Sequence, residues 1–180
     1  STYKKGGEGI TLFYSVVVCP LGQLLVAVTD RGICKISLGD SATELIALMN
    51  TEFAKAERTL DDEGVGYWVK KIIAYLEGWQ PHLDLPLDIR ATAFQMKVWQ
   101  QLQKIPVGET RTYSDIADAI GQPTASRAVA NACANNPVAL VIPCHRIIRK
   151  DKSLGGYRWG IDRKEALLQQ EQQYKTQSTS

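Results

Sequence analysis

Three short β-prone runs at the start of the sequence constrain the fold more than any other feature. The runs cover residues 10–18, 23–29 and 32–38, and breaks that contain glycine separate them at 19–22 and 30–32. Runs of this length joined by such short breaks favour chain reversals between neighbouring strands. We therefore predict an antiparallel sheet of three consecutive strands.

Helical patterns follow the predicted sheet within the first half of the chain. Ser41 precedes Glu44 by three residues, which is the spacing of a capping box, and this pair predicts the start of a helix. Apolar residues at helical spacing predict a second helix over 67–77. Residues 59–66 are interpreted as an acidic loop, and residues 83–89, which contain a proline, as an edge strand or extended linker. This half has no evident site and is interpreted as a structural domain.

The second half of the chain is mainly helical. Helices are predicted at about 93–105, 112–120, 124–134 and 162–173. The second and third are short and are separated by Gly121-Gln122-Pro123, a pattern that indicates a helix-turn-helix. The third is rich in alanine, and small side chains let its backbone approach either a core or a nucleic-acid groove. Plain packing of a helical hairpin is the alternative interpretation.

The predicted organisation has four parts. Residues 1–9 are interpreted as a linker remnant, 10–88 as an α/β domain, 89–174 as a helical domain and 175–180 as a polar tail. The predicted fold class is therefore α+β, an amino-terminal sheet domain followed by a helix-turn-helix domain. Because the chain begins with Ser rather than Met, we expect it to be part of a longer protein.

Composition and charge limit the possible function classes. With 44% hydrophobic and 22% charged residues the chain is an ordinary globular sequence, which excludes a disordered or coiled-coil protein. Residues 1–89 contain 8 Lys/Arg and 12 Asp/Glu, whereas residues 90–180 contain 13 and 7. The first half therefore carries −4 and the second +6, which favours a polyanion as partner of the second half. No apolar run approaches the ~20 residues that span a bilayer, so no membrane association is expected.

The cysteines and histidines do not form a metal-binding pattern. Cys19, Cys34, Cys133 and Cys144 are far apart, no CxxC pair occurs, and the chain has two histidines. A zinc site would need closely spaced ligands of these types. We therefore expect no metal and no cofactor, and reduced thiols inside the cell.

A nucleophilic thiol is the candidate reactive group. Five apolar residues at 138–142 predict a buried extended segment that leads to Pro143, Cys144 and His145. A thiol reacts as its thiolate, and a neighbouring imidazole can take the proton directly or through a water. A carboxylate from a distant helix can orient that imidazole. An inert buried cysteine is the alternative that these residues alone leave open.

The tetrapeptide Pro143-Cys144-His145-Arg146 belongs to a larger set of matching positions over about residues 89–171. The other members of the set are Phe94, Trp99, Ile105, Pro106, Val107, Gly108, Glu109, Tyr113, Arg127, Ala128, Val129, Asn136, Pro137, Gly155, Gly156 and Tyr157. This set resembles the O6-alkylguanine-DNA alkyltransferase family, whose signature is PCHR. Residues 30–34 are more loosely similar to the carboxy-terminal half of the bacterial Ada protein.

The resemblance implies a fold and a reaction. It implies a ribonuclease H-like first domain, and a second domain in which Cys144 removes the alkyl group of O6-alkylguanine, and of O4-alkylthymine, in duplex DNA. The product is a thioether, which cannot be hydrolysed, so each molecule of this methyltransferase is expected to act once. The family also implies a monomer without metal or cofactor, in the bacterial cytoplasm near the nucleoid, as the carboxy-terminal part of a larger Ada-like chain.

The resemblance also assigns catalytic roles to particular residues. His145 matches a water-linked base, and Glu171 matches the carboxylate that orients it. Tyr113 matches the residue whose hydroxyl hydrogen-bonds the departing guanine. Asn136 matches a hinge asparagine that ties the recognition helix to the active-site segment. Lys164 matches a lysine near the active site to which we assign no role.

A further set of matching residues is expected to contact the DNA or the extruded base. Arg127 matches an arginine that enters the duplex in place of the extruded nucleotide. The small residues of its helix, Ala128 and Ala132, are expected in the minor groove, and Arg146 is expected near a phosphate. The walls of the base pocket are expected to be Tyr157, Arg158 and Ile147.

Two other classes of function remain as alternatives. One is a DNA-binding module without catalysis, in which the helix-turn-helix alone acts. The other is a papain-like cysteine hydrolase, for which only His82 and His145 are available as the base. Related proteins that bind lesions without repair carry Trp at the position of Cys144, which disfavours that variant of the first class.

Overall fold

A computed structural model describes residues 5–78 and 82–178. The chain forms two compact units, Ser1–Arg90 and Ala91–Ser180. Parts of the expected linker and tail, residues 1–4 and 179–180, lie outside the described residues. Within the described parts no helix combines the length and the apolar character needed to cross a membrane.

A four-stranded sheet forms the centre of the first unit. Strands β1 (Thr11–Cys19), β2 (Gly22–Val28) and β3 (Ile33–Gly39) pair antiparallel in sequence, which confirms the predicted meander. Strand β4 (Glu57–Leu60) pairs in parallel with β1, so the sheet is mixed and has the order β3-β2-β1-β4. The added strand is short and largely exposed. It therefore lacks the apolar alternation by which a sequence pattern reveals a strand.

Two helices accompany this sheet. Helix α1 (Ala42–Glu52) begins where predicted, and the Ser41 side chain accepts the N–H of Glu44 at 3.2 Å. Helix α2 (Asp62–Leu76) begins earlier than predicted, because Asp61 caps it by accepting the N–H of Gly64. The interpretation of 59–66 as a loop is therefore wrong. Its acidic residues stabilise the positive end of the α2 dipole.

The segment before the second unit is extended and touches the sheet at one point. Leu87 forms a single parallel bridge with Ile33, whose N–H donates to the carbonyl oxygen of Pro86 at 2.9 Å. A Cβ atom at Gly32 would lie 2.7 Å from that oxygen, so the close approach requires glycine. The expectation of an edge strand or extended linker therefore holds in its second form, with one bridge to the sheet.

The second unit is built from four helices. They are α3 (Ala93–Gln103), α4 (Tyr113–Ala119), α5 (Ser126–Ala134) and α6 (Ile161–Ser178). Helices α4 and α5 pack against each other and against α3, as a helix-turn-helix requires. Helix α6 continues to Ser178, so the part of the expected tail that the structure describes is helical.

Two short strands and a turn connect these helices around the candidate thiol. Strands β5 (Arg111–Thr112) and β6 (Ile147–Ile148) pair in parallel. The apolar residues at 138–142 are buried as predicted, but they form turns, and Leu140 has a positive φ of 75°. The prediction of an extended segment is wrong because apolar character indicates burial and not backbone shape.

Candidate active site

A cavity of about 470 Å³ lies within the second unit. Helices α4 and α5, the short 3₁₀ turn Cys144–Arg146 and the loop before α6 surround it. Its volume falls in the range of small-molecule sites. The residues that line it are Tyr113, Ser126, Arg127, Ala130, Cys133, Ala134, Cys144, Arg149, Gly156, Tyr157 and Arg158.

The thiol of Cys144 borders this cavity and is 3% exposed. Burial raises the pKa of Cys144 well above its ordinary value, and a hydrogen bond with Cys133 acts in the same direction. The side-chain N–H of Asn136, which donates to Sγ at 3.2 Å, and the charge of Lys164 both act to lower this pKa. The resting sulfur is therefore a protonated thiol that needs a base before it can react.

Asn136 fixes the position of Cys144. Its Nδ2 donates to the carbonyl oxygen of Ile142 at 2.8 Å as well as to the sulfur, and its Oδ1 accepts the N–H of Val138 at 2.9 Å. Its own carbonyl oxygen accepts a hydrogen bond from Arg158 Nη1. One side chain thus connects the end of α5 to the turn that carries Cys144, which is the geometry of the expected hinge.

His145 and Glu171 form a buried pair next to the thiol. The distance from His145 Nε2 to Glu171 Oε2 is 2.9 Å. A carboxylate can only accept, so Nε2 carries the proton and Nδ1 is free to accept one. Nδ1 has no hydrogen-bond partner among the described residues. Burial lowers the pKa of His145 below its ordinary value, although Glu171 opposes this effect.

Arg146 completes this buried cluster. Its Nε and Nη2 donate to the two oxygens of Glu171 at 2.9 and 2.8 Å, and Nη1 donates to the carbonyl oxygen of Ile105. Burial opposes ionisation of Glu171, but the hydrogen bonds from His145 and Arg146 outweigh it and hold the pKa of Glu171 well below its ordinary value. Glu171 is therefore a carboxylate that His145 and Arg146 share.

Three sequence expectations do not fit these positions. Arg146 is buried in its pair with Glu171, so its guanidinium is not placed to meet a phosphate. Ala132 is 2% exposed and its carbonyl oxygen accepts the N–H of Trp99, so it faces the core. Ile147 is 1% exposed, pairs with Arg111 in the small sheet and does not line the cavity. A sequence pattern shows helix and charge but not which side of a short turn faces inward.

The other expected residues lie on or beside the cavity. Arg127 and Ala128 are exposed on α5, and Arg127 lines the cavity. Tyr113 is half-buried, and burial raises the pKa of its hydroxyl. A Cβ atom at Gly155, where φ is 73°, would lie 3.0 Å from that hydroxyl. Tyr157 stacks edge-on against both His145 and Trp159.

Two residues gain roles that the sequence did not reveal. Lys164 is completely buried, and its Nζ donates to the carbonyl oxygen of Gly156 at 3.0 Å, which holds the cavity loop. Burial lowers the pKa of Lys164 to about 8. Cys133 lies beside Cys144 on the buried face of α5 together with Val129 and Ala132, and this helical spacing was the available signal. Among residues 5–78 and 82–178 no cluster of three His, Cys, Asp or Glu side chains is placed to hold a metal ion.

Acidification from about pH 7 to about pH 5 is expected to lower the free energy of unfolding. His145 remains neutral in the fold because burial lowers its pKa, whereas in the unfolded chain it takes up a proton below about pH 6.5. Its contribution is therefore complete above that pH and decreases as the pH falls, by at most about 1.4 kcal/mol per pH unit.

Urea unfolding at both pH values measures this effect. The chain has two histidines, and His82 is exposed. The variant His82→Gln should keep the pH dependence and His145→Gln should lose most of it. Equal pH dependence in the two variants would assign the proton uptake to other groups.

Comparisons with known proteins agree with this geometry. Residues 12–89 match the family model described as 6-O-methylguanine DNA methyltransferase, ribonuclease-like domain, and residues 93–173 match the DNA binding domain of the same name. The chain is 48% identical to the bifunctional transcriptional activator/DNA repair enzyme Ada of Escherichia coli over 94% of this chain and 48% of that protein. It is 38% identical to a methylated-DNA–protein-cysteine methyltransferase of Mycolicibacterium paratuberculosis over 92% of this chain and 95% of the relative.

Solved structures give the same result. The O6-methylguanine methyltransferase of Mycobacterium tuberculosis has a TM-score of 0.77 at 35% identity, over 91% of this chain and 94% of that one. A structure of the Mycobacterium tuberculosis protein in complex with DNA has a TM-score of 0.76 at 37% identity, over 90% and 94%. The chain spans about half the length of the Ada proteins of Escherichia coli and Salmonella typhimurium that it matches.

Proposed function

Because this chain belongs to the methylated-DNA–protein-cysteine methyltransferase family, we propose that it repairs DNA by taking the alkyl group of O6-alkylguanine onto Cys144. One observation carries the proposal. A thiol borders a cavity of about 470 Å³, beside a histidine whose Nδ1 can accept a proton and whose Nε2 is held by a carboxylate. This arrangement supports a nucleophilic reaction on a small group within an enclosed site.

The proposed transfer is a displacement at a saturated carbon. His145 takes the proton of Cys144 through Nδ1, directly or by way of one water, and Glu171 stabilises the imidazolium that results. The sulfur then forms a bond to the alkyl carbon as the bond from that carbon to guanine O6 breaks. Lys164, whose charge favours the thiolate, assists the first step. The thioether product has no hydrolysable bond, so each chain acts once.

The departing guanine needs a proton or a hydrogen bond. Tyr113 lines the cavity, and burial keeps its hydroxyl protonated. We assign it the role of donor to the leaving base. Tyr157 and Arg158 also line the cavity and provide the walls for the purine. O4-alkylthymine presents a comparable exocyclic oxygen and is proposed as a second substrate.

The DNA is proposed to lie against the exposed side of α5. Arg127 and Ala128 are exposed there, and Arg127 also lines the cavity. The target atom lies inside the base stack of a duplex, so the nucleotide must be extruded, and a guanidinium can fill the gap that it leaves. Minor-groove contact fits the small side chains of α5. Exposed Arg149, Lys150 and Lys152 replace Arg146 as the candidates for phosphate contact.

Replacing Arg127 by alanine is expected to slow methyl transfer from duplex DNA by about tenfold or more, since unstacking a base costs a few kcal/mol that the arginine offsets in part. Transfer from free O6-methylguanine, which needs no extrusion, should change much less. Rates from the two substrates measure the difference. The control is Arg31→Ala, which removes an exposed arginine of the first unit. An equal loss on both substrates would contradict the role in extrusion.

Intact-mass spectrometry after incubation with an O6-methylguanine duplex tests the proposed function. We expect a gain of one CH₂ for each chain, mapped to the peptide that contains Cys144, and no second turnover. An unchanged mass with tight binding to undamaged DNA would instead favour the DNA-binding module. An acyl group on Cys144 after incubation with esters would favour the hydrolase.

The proposal extends to the setting of this activity. The Ada relatives are about twice as long as the matched region, which supports a larger Ada-like chain. We propose that the region acts as a monomer, on duplex DNA and in the bacterial cytoplasm where the nucleoid lies. Sedimentation with and without a DNA duplex measures the oligomeric state.

A further inference from the structure

Two thiols meet at the wall of the cavity. Cys133 lies in α5, and Cys144 begins the 3₁₀ turn. Both are free, both are buried and both line the same cavity. Their side chains are joined by a hydrogen bond. The proposed methyl transfer uses only one of these sulfur atoms.

Asn136 holds the two cysteines near each other. Its backbone N–H donates to the carbonyl oxygen of Cys133 at 3.2 Å, and its side-chain Nδ2 donates to Cys144 Sγ, also at 3.2 Å. Asn136 is itself fully buried and is bound to Val138 and Ile142. The separation of the two thiols is therefore fixed by the fold and does not depend on a chance encounter of mobile side chains.

We propose that Cys133 and Cys144 form an oxidative modification site at which a hydroperoxide converts the two thiols into a disulfide. In the first step the sulfur of Cys144 attacks the peroxide O–O bond, and a sulfenic acid and one water are formed. In the second step the sulfur of Cys133 attacks the sulfenic sulfur, the S–S bond forms and a second water leaves. The two sulfur atoms are oxidised by two electrons in total, and the two peroxide oxygens are reduced.

The surroundings of the pair favour its reaction. Lys164 is buried, and its charge interacts favourably with both sulfur atoms when they are ionised. His145 adjoins Cys144 in the chain and offers a proton acceptor at Nδ1. The groups that prepare Cys144 for attack on carbon thus prepare it equally for attack on oxygen. The cavity admits a molecule as small as hydrogen peroxide.

The consequence for repair rests on the proposed function. A disulfide occupies the sulfur that would accept the alkyl group, so methyl transfer stops. Thiol reductants reopen a disulfide, whereas the thioether formed by alkyl transfer is permanent. Cys133 would also keep Cys144 from further oxidation to sulfinic acid, which thiols do not reverse. The pair therefore separates recoverable oxidation from permanent consumption.

Treatment of the protein with hydrogen peroxide, followed by intact-mass spectrometry and peptide mapping, tests the site. We expect the wild-type chain to lose two hydrogen atoms, to yield a linked Cys133–Cys144 peptide and to return to its original mass with dithiothreitol. The variant Cys133→Ser should instead gain oxygen at Cys144 and remain oxidised after reduction. Cys133→Ala gives the same comparison if serine destabilises the fold. The control Cys19→Ser should behave as wild type.

Each other outcome overturns the proposal. A wild-type chain that gains oxygen, or whose mass does not change, has no such disulfide. A Cys133 variant that still loses two hydrogen atoms would place the bond elsewhere. The mapping uses no DNA, so a disulfide in a protein that fails to take up methyl groups would refute the proposed function and leave the modification site intact.

Discussion

The variant Cys144→Ala is expected to transfer no methyl group from an O6-methylguanine duplex, whereas its affinity for that duplex should stay within a few-fold of wild type. Cys144 is the thiol beside His145 in the cavity, and it is buried at 3% exposure, so alanine removes the nucleophile with little change of the DNA-facing surface. Transfer of a labelled methyl group measures the first effect. Fluorescence anisotropy at a fixed salt concentration measures the second.

A matched thiol variant makes this result specific. Cys19 lies at the end of β1 in the first unit, and Cys19→Ala should transfer methyl groups as wild type does. Transfer that persists in Cys144→Ala would move the acceptor to another thiol. If Cys144→Ala lost affinity for the duplex as well, the variant would have altered the binding surface, and a Cys144→Ser comparison would be needed to isolate the chemistry.

The variant Glu171→Gln is expected to have the largest effect on stability. Glu171 is 4% exposed and holds both His145 and Arg146. Its removal as a charge leaves the guanidinium of Arg146 buried without a counter-charge, and breaking a buried pair in this way costs about 3–5 kcal/mol. The amide also no longer stabilises an imidazolium, so the rate of methyl transfer should fall by about a hundredfold.

Urea unfolding and single-turnover transfer measure the two effects. Glu165 is an exposed glutamate on the same helix, and Glu165→Gln should change the free energy of unfolding by less than about 0.5 kcal/mol. The result that contradicts our account is a Glu171→Gln protein as stable as Glu165→Gln. Such a protein would show that water reaches Arg146 and replaces the carboxylate.

Local sequence patterns predicted the elements that depend on local rules. The three-strand meander, the cap at Ser41 and the short helices of the second unit all follow from turn residues and periodicity. Strand β4 was missed because its stability depends on pairing with β1, some 45 residues earlier in the chain. Leu140 adopts a positive φ inside a buried turn, which no propensity of leucine indicates.

The site shows the same division between local and distant information. The resemblance named Cys144, His145, Asn136 and Glu171, and the structure brings these four residues together. It did not show that Arg146 turns inward, because charge alone favours the surface and only the position of Glu171 on α6 explains the burial. Cys133 escaped notice because its neighbour in space is eleven residues away in sequence.

The position of Glu171 within the last helix has a genetic consequence. A nonsense mutation that ends translation just before codon 171 would remove only ten residues. The shortened product would retain α5, the cavity and Cys144, but His145 would have no carboxylate and Arg146 no counter-ion. Late truncation of this kind, or trimming by a carboxypeptidase, should therefore inactivate the protein although its reactive residue remains.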